Sequence, residues 1–145
     1  MHDNDFDNLR DDVIKLPKKT LVDILVHYAQ CDSSIYYDLC LWTSQGENAI
    51  EAAQSELMYL PTSTEQNRHQ VAEAAEVRIS TCGYRVLFAA EHGPHDDETK
   101  RTIVNEVLKA MSYYEEHAYD EGWDFVCVAD EAKKLLKRGE STQGF

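Results

Sequence analysis

The sequence predicts an all-α protein, a single bundle of about five to six helices arranged as antiparallel helical hairpins. Three observations carry that reading. Only three prolines and six glycines occur in 145 residues, too few for the many turns of a β-sandwich. Apolar residues recur every three or four positions along most of the chain, the period of a helix with one buried face. The interruptions carry capping and stop residues, such as Asp32-Ser33-Ser34 and Gly93-Pro94, which satisfy free N–H groups at a helix start or end the helix.

A short helix is predicted over Phe6 to Ile14, after a loose lead-in at 1–6. Leu16-Pro17-Lys18-Lys19-Thr20 opens a second helix, with Leu21, Val22, Ile24, Leu25, Tyr28 and Ala29 on its apolar face. Pro17 suits its first turn, where a missing N–H costs nothing. Asp32, Ser33 and Ser34 cap a third helix carrying Ile35, Leu39 and Trp42, and these two helices form a hairpin. The next spans Glu47 to Leu60, with Ala49, Ile50, Ala53, Leu57 and Leu60 inward and Pro61 ending it.

Thr62-Ser63-Thr64 then caps a long helix running to His92. One stripe of it holds Val71, Ala75, Ile79, Cys82, Val86 and Ala89 or Ala90, and a second holds Val77, Tyr84 and Phe88; two stripes predict burial on most sides. Gly83 inside it costs about 1 kcal/mol relative to Ala and marks a kink or a close helix crossing. Asp96-Asp97-Glu98 starts the following helix, where negative charge complements the helix dipole. Ile103, Val104, Val107, Leu108, Met111, Tyr114 and Ala118 face its core side, and Gly122 ends it. The last helix runs from Trp123 to Arg138, with Phe125, Val128 or Ala129, Ala132 and Leu135 or Leu136 inward. Lys133, Lys134, Lys137 and Arg138 suit its C-terminal end, Gly139 is its C′ residue, and 140–145 form a loose tail.

The length fits one domain over 1–145 with one core. No apolar run approaches the roughly 18 residues of a membrane span, and Met1-His2-Asp3-Asn4-Asp5 is acidic where a secretory signal is basic. A soluble, cytoplasmic protein without membrane contact is the expectation. Cys31, Cys40, Cys82 and Cys127 form no C-x-x-C pair, so they read as reduced structural thiols.

The segment from Leu16 through Pro17, Lys18, Lys19 and Thr20 to Tyr36, Tyr37, Asp38 and Leu39 resembles a helical hairpin found beside SWIM-type zinc fingers and in helical adaptor proteins. The cysteines and histidine of the SWIM finger are absent, so the resemblance implies a helical scaffold and transfers no functional residue.

Charge is the strongest global signal, with 27 acidic against 14 basic residues and a net charge of -13. Between residues 96 and 131 the acids are Asp96, Asp97, Glu98, Glu106, Glu115, Glu116, Asp120, Glu121, Asp124, Asp130 and Glu131, against Lys100, Arg101 and Lys109. Such a field repels phosphate backbones and attracts basic surfaces, so direct nucleic-acid binding is not expected. Tyr113, Tyr114, Tyr119 and Trp123 accompany these acids, and Tyr36, Tyr37 and Trp42 cluster earlier; rings beside carboxylates serve either as interface anchors or as core.

A second constellation is Glu91-His92-Gly93-Pro94-His95-Asp96, in which His92, His95 and Asp96 are candidate metal ligands. The residues Glu115, Glu116, His117 and Asp120 lie about 30 Å further along at helical rise. A helix stop followed by an acidic first turn explains the same residues without a metal. No glycine loop, nucleophile elbow or paired Glu-x-x-His motif licenses a reaction class, and no cofactor is indicated.

The sequence therefore points to a non-enzymatic interaction module or inhibitor. Its acidic helical face, Glu115, Glu116, Tyr119, Asp120, Glu121, Trp123 and Asp124, docks on a basic protein surface such as that of a nucleic-acid-binding complex, with carboxylates standing where phosphates would lie. The alternative is a small metal-dependent enzyme or sensor built on the His92/His95/Asp96 turn. Self-association into a homo-oligomer is a third expectation.

Overall fold

The computed structural model describes residues 3–58, 71–118 and 122–143. These are 89% helical and contain no strand, which settles the all-α class. Seven helices lie within them: α1 (Asp3–Val13), α2 (Lys18–Cys31), α3 (Ser33–Thr43), α4 (Gly46–Met58), α5 (Val71–His92), α6 (Asp97–His117) and α7 (Trp123–Gln143). The predicted roles of Leu60, Pro61 and Thr62-Ser63-Thr64 fall outside the described residues. The chain divides into two compact units, Met1–Tyr36 and Tyr37–Phe145.

In the first unit, Pro17 takes the N-cap position of α2 with φ -58 and ψ 147, and no side chain caps that helix. Asp32 ends α2 in an extended conformation, and its carboxylate accepts the Ser34 N–H at 2.9 Å. One residue thus stops one helix and caps the next. The apolar stripe predicted to be the inner face of α2 contains no buried residue: Val22, Leu25 and Tyr28 are each about half exposed. Phe6, Leu9 and Ile14 in and after α1 are more exposed still.

The second unit holds the core. Helices α4, α5, α6 and α7 pack on one another around Ala49, Ala53, Leu57, Ile79, Val86, Ile103, Val107, Met111, Phe125 and Val128. From α3 the fully buried residue is Leu41, while the predicted Leu39 and Trp42 are half-buried. Burying one such aliphatic side chain contributes about 1.5–3 kcal/mol before entropy is counted. Gly83 marks a close crossing: a Cβ there would lie 2.8 Å from Val128 Cγ1 and 3.1 Å from Met111 Cε. The missing side chain lets α5 approach α6 and α7 together.

Four expectations are corrected. The second stripe of α5 is not interior, since Val77 and Phe88 are each 58% exposed and Tyr84 is 45% exposed; α6 and α7 cover only the Ile79, Cys82 and Val86 side. Helix α6 stops at His117, with Ala118 extended as its C-cap, before Gly122. Helix α7 continues through Gly139 to Gln143, because one interior Gly costs only about 1 kcal/mol and Glu140 and Gln143 are good helix formers. Lys133 to Arg138 consequently lie within α7, not in its last turn. At the other end α1 already begins at Asp3, inside the expected lead-in.

Candidate functional site

Of the acidic residues predicted to dock on a partner, Glu115, Glu116 and Asp124 lie where α6 ends and α7 begins. Glu115 and Glu116 are exposed in the last turn of α6. Gly122 adopts φ +66, a left-handed conformation that glycine tolerates best. A Cβ on it would lie 3.2 Å from Ala118 Cβ and 3.4 Å from Glu115 Cγ, so Gly122 packs against the end of α6. Trp123 follows immediately and is 67% exposed. Tyr119, Asp120 and Glu121 lie outside the described residues.

Helix α5 adds groups to this corner. The Asp124 N–H donates to Glu76 Oε1 at 3.3 Å. Tyr84 has its phenol pushed above its ordinary pKa by partial burial, then by Cys127, Glu131 and Asp124 of α7. Those causes set its phenol in the negative field of the N-terminal half of α7. Tyr84 belongs to the stripe misread as interior; the signal that could have placed it outside is its register with Thr81 and Glu91 rather than with Ile79 and Val86.

Two cations of α7 are engaged with acids other than Glu115, Glu116 and Asp124. Lys134 pairs with Glu131 at 3.9 Å and Arg138 with Glu91 at 3.6 Å. Among the described residues Glu115, Glu116 and Asp124 form no ion pair.

The histidine turn is organised by packing and capping. His92 is exposed, its ring 4.5 Å from that of Phe88 and 3.6 Å from the Glu91 carboxylate. His95 is buried at 7% exposure, and neither ring nitrogen makes a well-formed hydrogen bond. Burial, then Lys100, lower its pKa, against smaller opposing effects of Asp96 and the Leu41 backbone. Asp96 accepts the Thr99 N–H at 2.7 Å as the α6 cap, a bond that holds its carboxyl below the ordinary pKa. No three His, Cys, Asp or Glu side chains among the described residues come together as a metal-binding group.

A polar cluster that the sequence reading missed lies inside the second unit. Glu56 of α4 is fully buried, and its Oε1 receives Arg85 Nε of α5 at 3.3 Å. Arg85 Nη2 lies 3.3 Å from Cys82 Sγ. Asp38 of α3 faces Glu56 and accepts the Trp42 indole N–H. Burial and the neighbouring Asp38 push the Glu56 carboxyl up to about 8, Arg85 opposing them; burial raises Asp38 as well. Glu56 was legible in principle, because it continues the Ala49, Ala52, Ala53 row three residues on.

A cavity of about 370 Å³ opens between α4 and α6, walled by Leu57, Ala110, Tyr113 and Tyr114 with Gln54, Glu106 and Lys109. Its size falls in the range of small-ligand pockets. Tyr114 is tied down there, donating to the Leu57 carbonyl at 2.6 Å.

None of the four cysteines is in a disulfide, and Cys82 is buried but Cys31 exposed; the expected structural role of each thiol does not hold at Cys31. No helix among the described residues is long and apolar enough to cross a membrane. No family model, no curated protein and no solved structure matches the chain.

Proposed function

We propose that this protein is a non-enzymatic interaction module or inhibitor that acts by occupying a basic protein surface, and that the corner of α6 and α7 is its docking face. The observation that supports this reading is Trp123, two-thirds exposed beside carboxylates that no described cation neutralises. A large ring left in water gains most when a partner desolvates it, and surrounding acids select a cationic partner and speed the encounter. The fitting partner is a protein whose basic surface also suits phosphate, so the carboxylates act as a nucleic-acid mimic. Tyr84 and Glu76 extend the face onto α5.

The test separates this corner from overall charge. Basic proteins captured from a lysate at low salt are titrated with the wild type, with Trp123→Ala, and with Glu115→Lys/Glu116→Lys/Asp124→Lys. A control carries the same charge change in α1, at Asp5, Asp7 and Asp11. Loss of a buried tryptophan anchor costs about 2 kcal/mol, roughly thirtyfold in Kd. Corner variants should lose affinity by that order while the α1 control keeps it, and duplex DNA should compete. Equal binding by corner and control variants, or capture indifferent to salt, would sink the proposal.

A further inference from the structure

We infer that Asp38 and Glu56 hold one proton between them at neutral pH and that this shared proton is a pH-sensitive fastening of α3 to the core of the second unit. The geometry points to it through two orphaned atoms. Asp38 Oδ1 and Glu56 Oε2 are both buried and without a conventional donor, yet the two carboxyls face each other at hydrogen-bonding range. Two carboxylate oxygens repel unless a proton lies between them, and a buried acceptor left without a donor is costly. A single proton satisfies both atoms at once.

The proton sits on Glu56 Oε2 and is donated to Asp38 Oδ1. Asp38 already accepts from Trp42, which favours its ionised form, whereas Glu56 is fully enclosed. Charge balance agrees: ionised Asp38 offsets Arg85, and the neutral acid adds nothing. Removing the proton leaves two buried negative charges against one guanidinium.

The groups acting on the pair are few. From α5 they are Arg85 and the Cys82 thiol beside it. From α6 the titratable group near Cys82 is Tyr114, held neutral well above its ordinary pKa by burial and engaged with the α4 backbone. No charge from α6 or α7 among the described residues acts on either carboxyl.

Because the folded-state pKa of Glu56 is raised above its ordinary 4.5, its contribution to stability is complete below that value. It is lost as pH rises toward about 8. Infrared difference spectroscopy of the full chain tests the idea through the C=O stretch of a protonated carboxyl. At about pH 6, where solvated carboxyls are ionised, the wild type should keep one such band. It should vanish on titration to about pH 9 and be absent in Glu56→Gln, whose amide can still donate to Asp38. The mid-denaturation urea concentration of the wild type should fall over that pH interval more than that of Glu56→Gln. Asp38→Asn is the second variant should Glu56→Gln fold poorly, and it should shift the band's titration midpoint. A wild type with no protonated-carboxyl band at about pH 6 overturns the inference, as does a band that survives unchanged in both variants.

Discussion

Helices α2 and α6 carry the same kind of pattern and meet different fates. Each repeats apolar residues at three-and-four spacing, Leu21, Ile24, Leu25 and Tyr28 in the first and Ile103, Val107, Met111 and Tyr114 in the second. Every one of the α6 set is buried, and nothing in α2 is. A hydrophobic period specifies that a helix has a face; whether that face is covered depends on how many other faces the same unit supplies. The second unit supplies four, on α4 to α7, plus Leu41. The first unit has 36 residues, below the roughly 40 at which a chain usually builds a core unaided.

The largest expected effect separates the two units by stability. Met111 is fully buried and touches the space above Gly83 where α5, α6 and α7 cross. Truncation to Ala should cost about 2–5 kcal/mol, the transfer term plus the cavity left behind. Urea denaturation followed by far-UV circular dichroism measures it. A loss under about 1 kcal/mol would mean that the second unit repacks freely and that the contrast with α2 is overstated.

How much of this was legible in the sequence follows the same division. In the second unit the inward residues of α6 and α7 were read correctly, because one clear stripe and one covering layer leave little choice. Gly83 signalled its close crossing for the same reason. The stripe of Val77, Tyr84 and Phe88 misled because apolar side chains are allowed outside, and only neighbours decide. Asp96 was read as either ligand or first-turn acid, and its bond to Thr99 shows the local role. The Asp38, Glu56 and Arg85 cluster stayed hidden because its members come from three helices. Sequence spacing can put Glu56 on an apolar face without revealing what waits there. Of the proposed docking face, Trp123 and Asp124 were named from the sequence, whereas Glu76 and Tyr84 come near α7 only through the packing of α5 on it.

A smaller effect sharpens the comparison through pH. His95 is buried in the second unit and its pKa is lowered by that burial and by Lys100, whereas no titratable side chain of α2 is buried. With a depressed folded-state pKa, the unfolded chain binds the proton first. Stability is therefore untouched above the ordinary value of 6.5 and is lost as pH falls below it toward the folded-state pKa. His95→Gln removes that titration. Its stability relative to the wild type should grow as pH drops below about 6.5 and stay constant above it. A difference independent of pH would show that the imidazole charges without penalty, and that the interior there is wetter than its exposure indicates.

The smallest effect is the most informative about the first unit. Leu25 lies in the middle of α2, half exposed, at a position the sequence pattern alone would call core. Replacing it with Ala removes little buried area and gains slightly in helix propensity, so the change should stay within about 0.5 kcal/mol. The same truncation at Leu57, which is 2% exposed, should fall in the range given for Met111. Measuring both by urea titration at two protein concentrations separates the alternatives. If Leu25→Ala cost as much as Leu57→Ala, the α2 face would be covered in solution. A cost that grew with protein concentration would identify that cover as another copy of the chain, since only association makes stability depend on concentration.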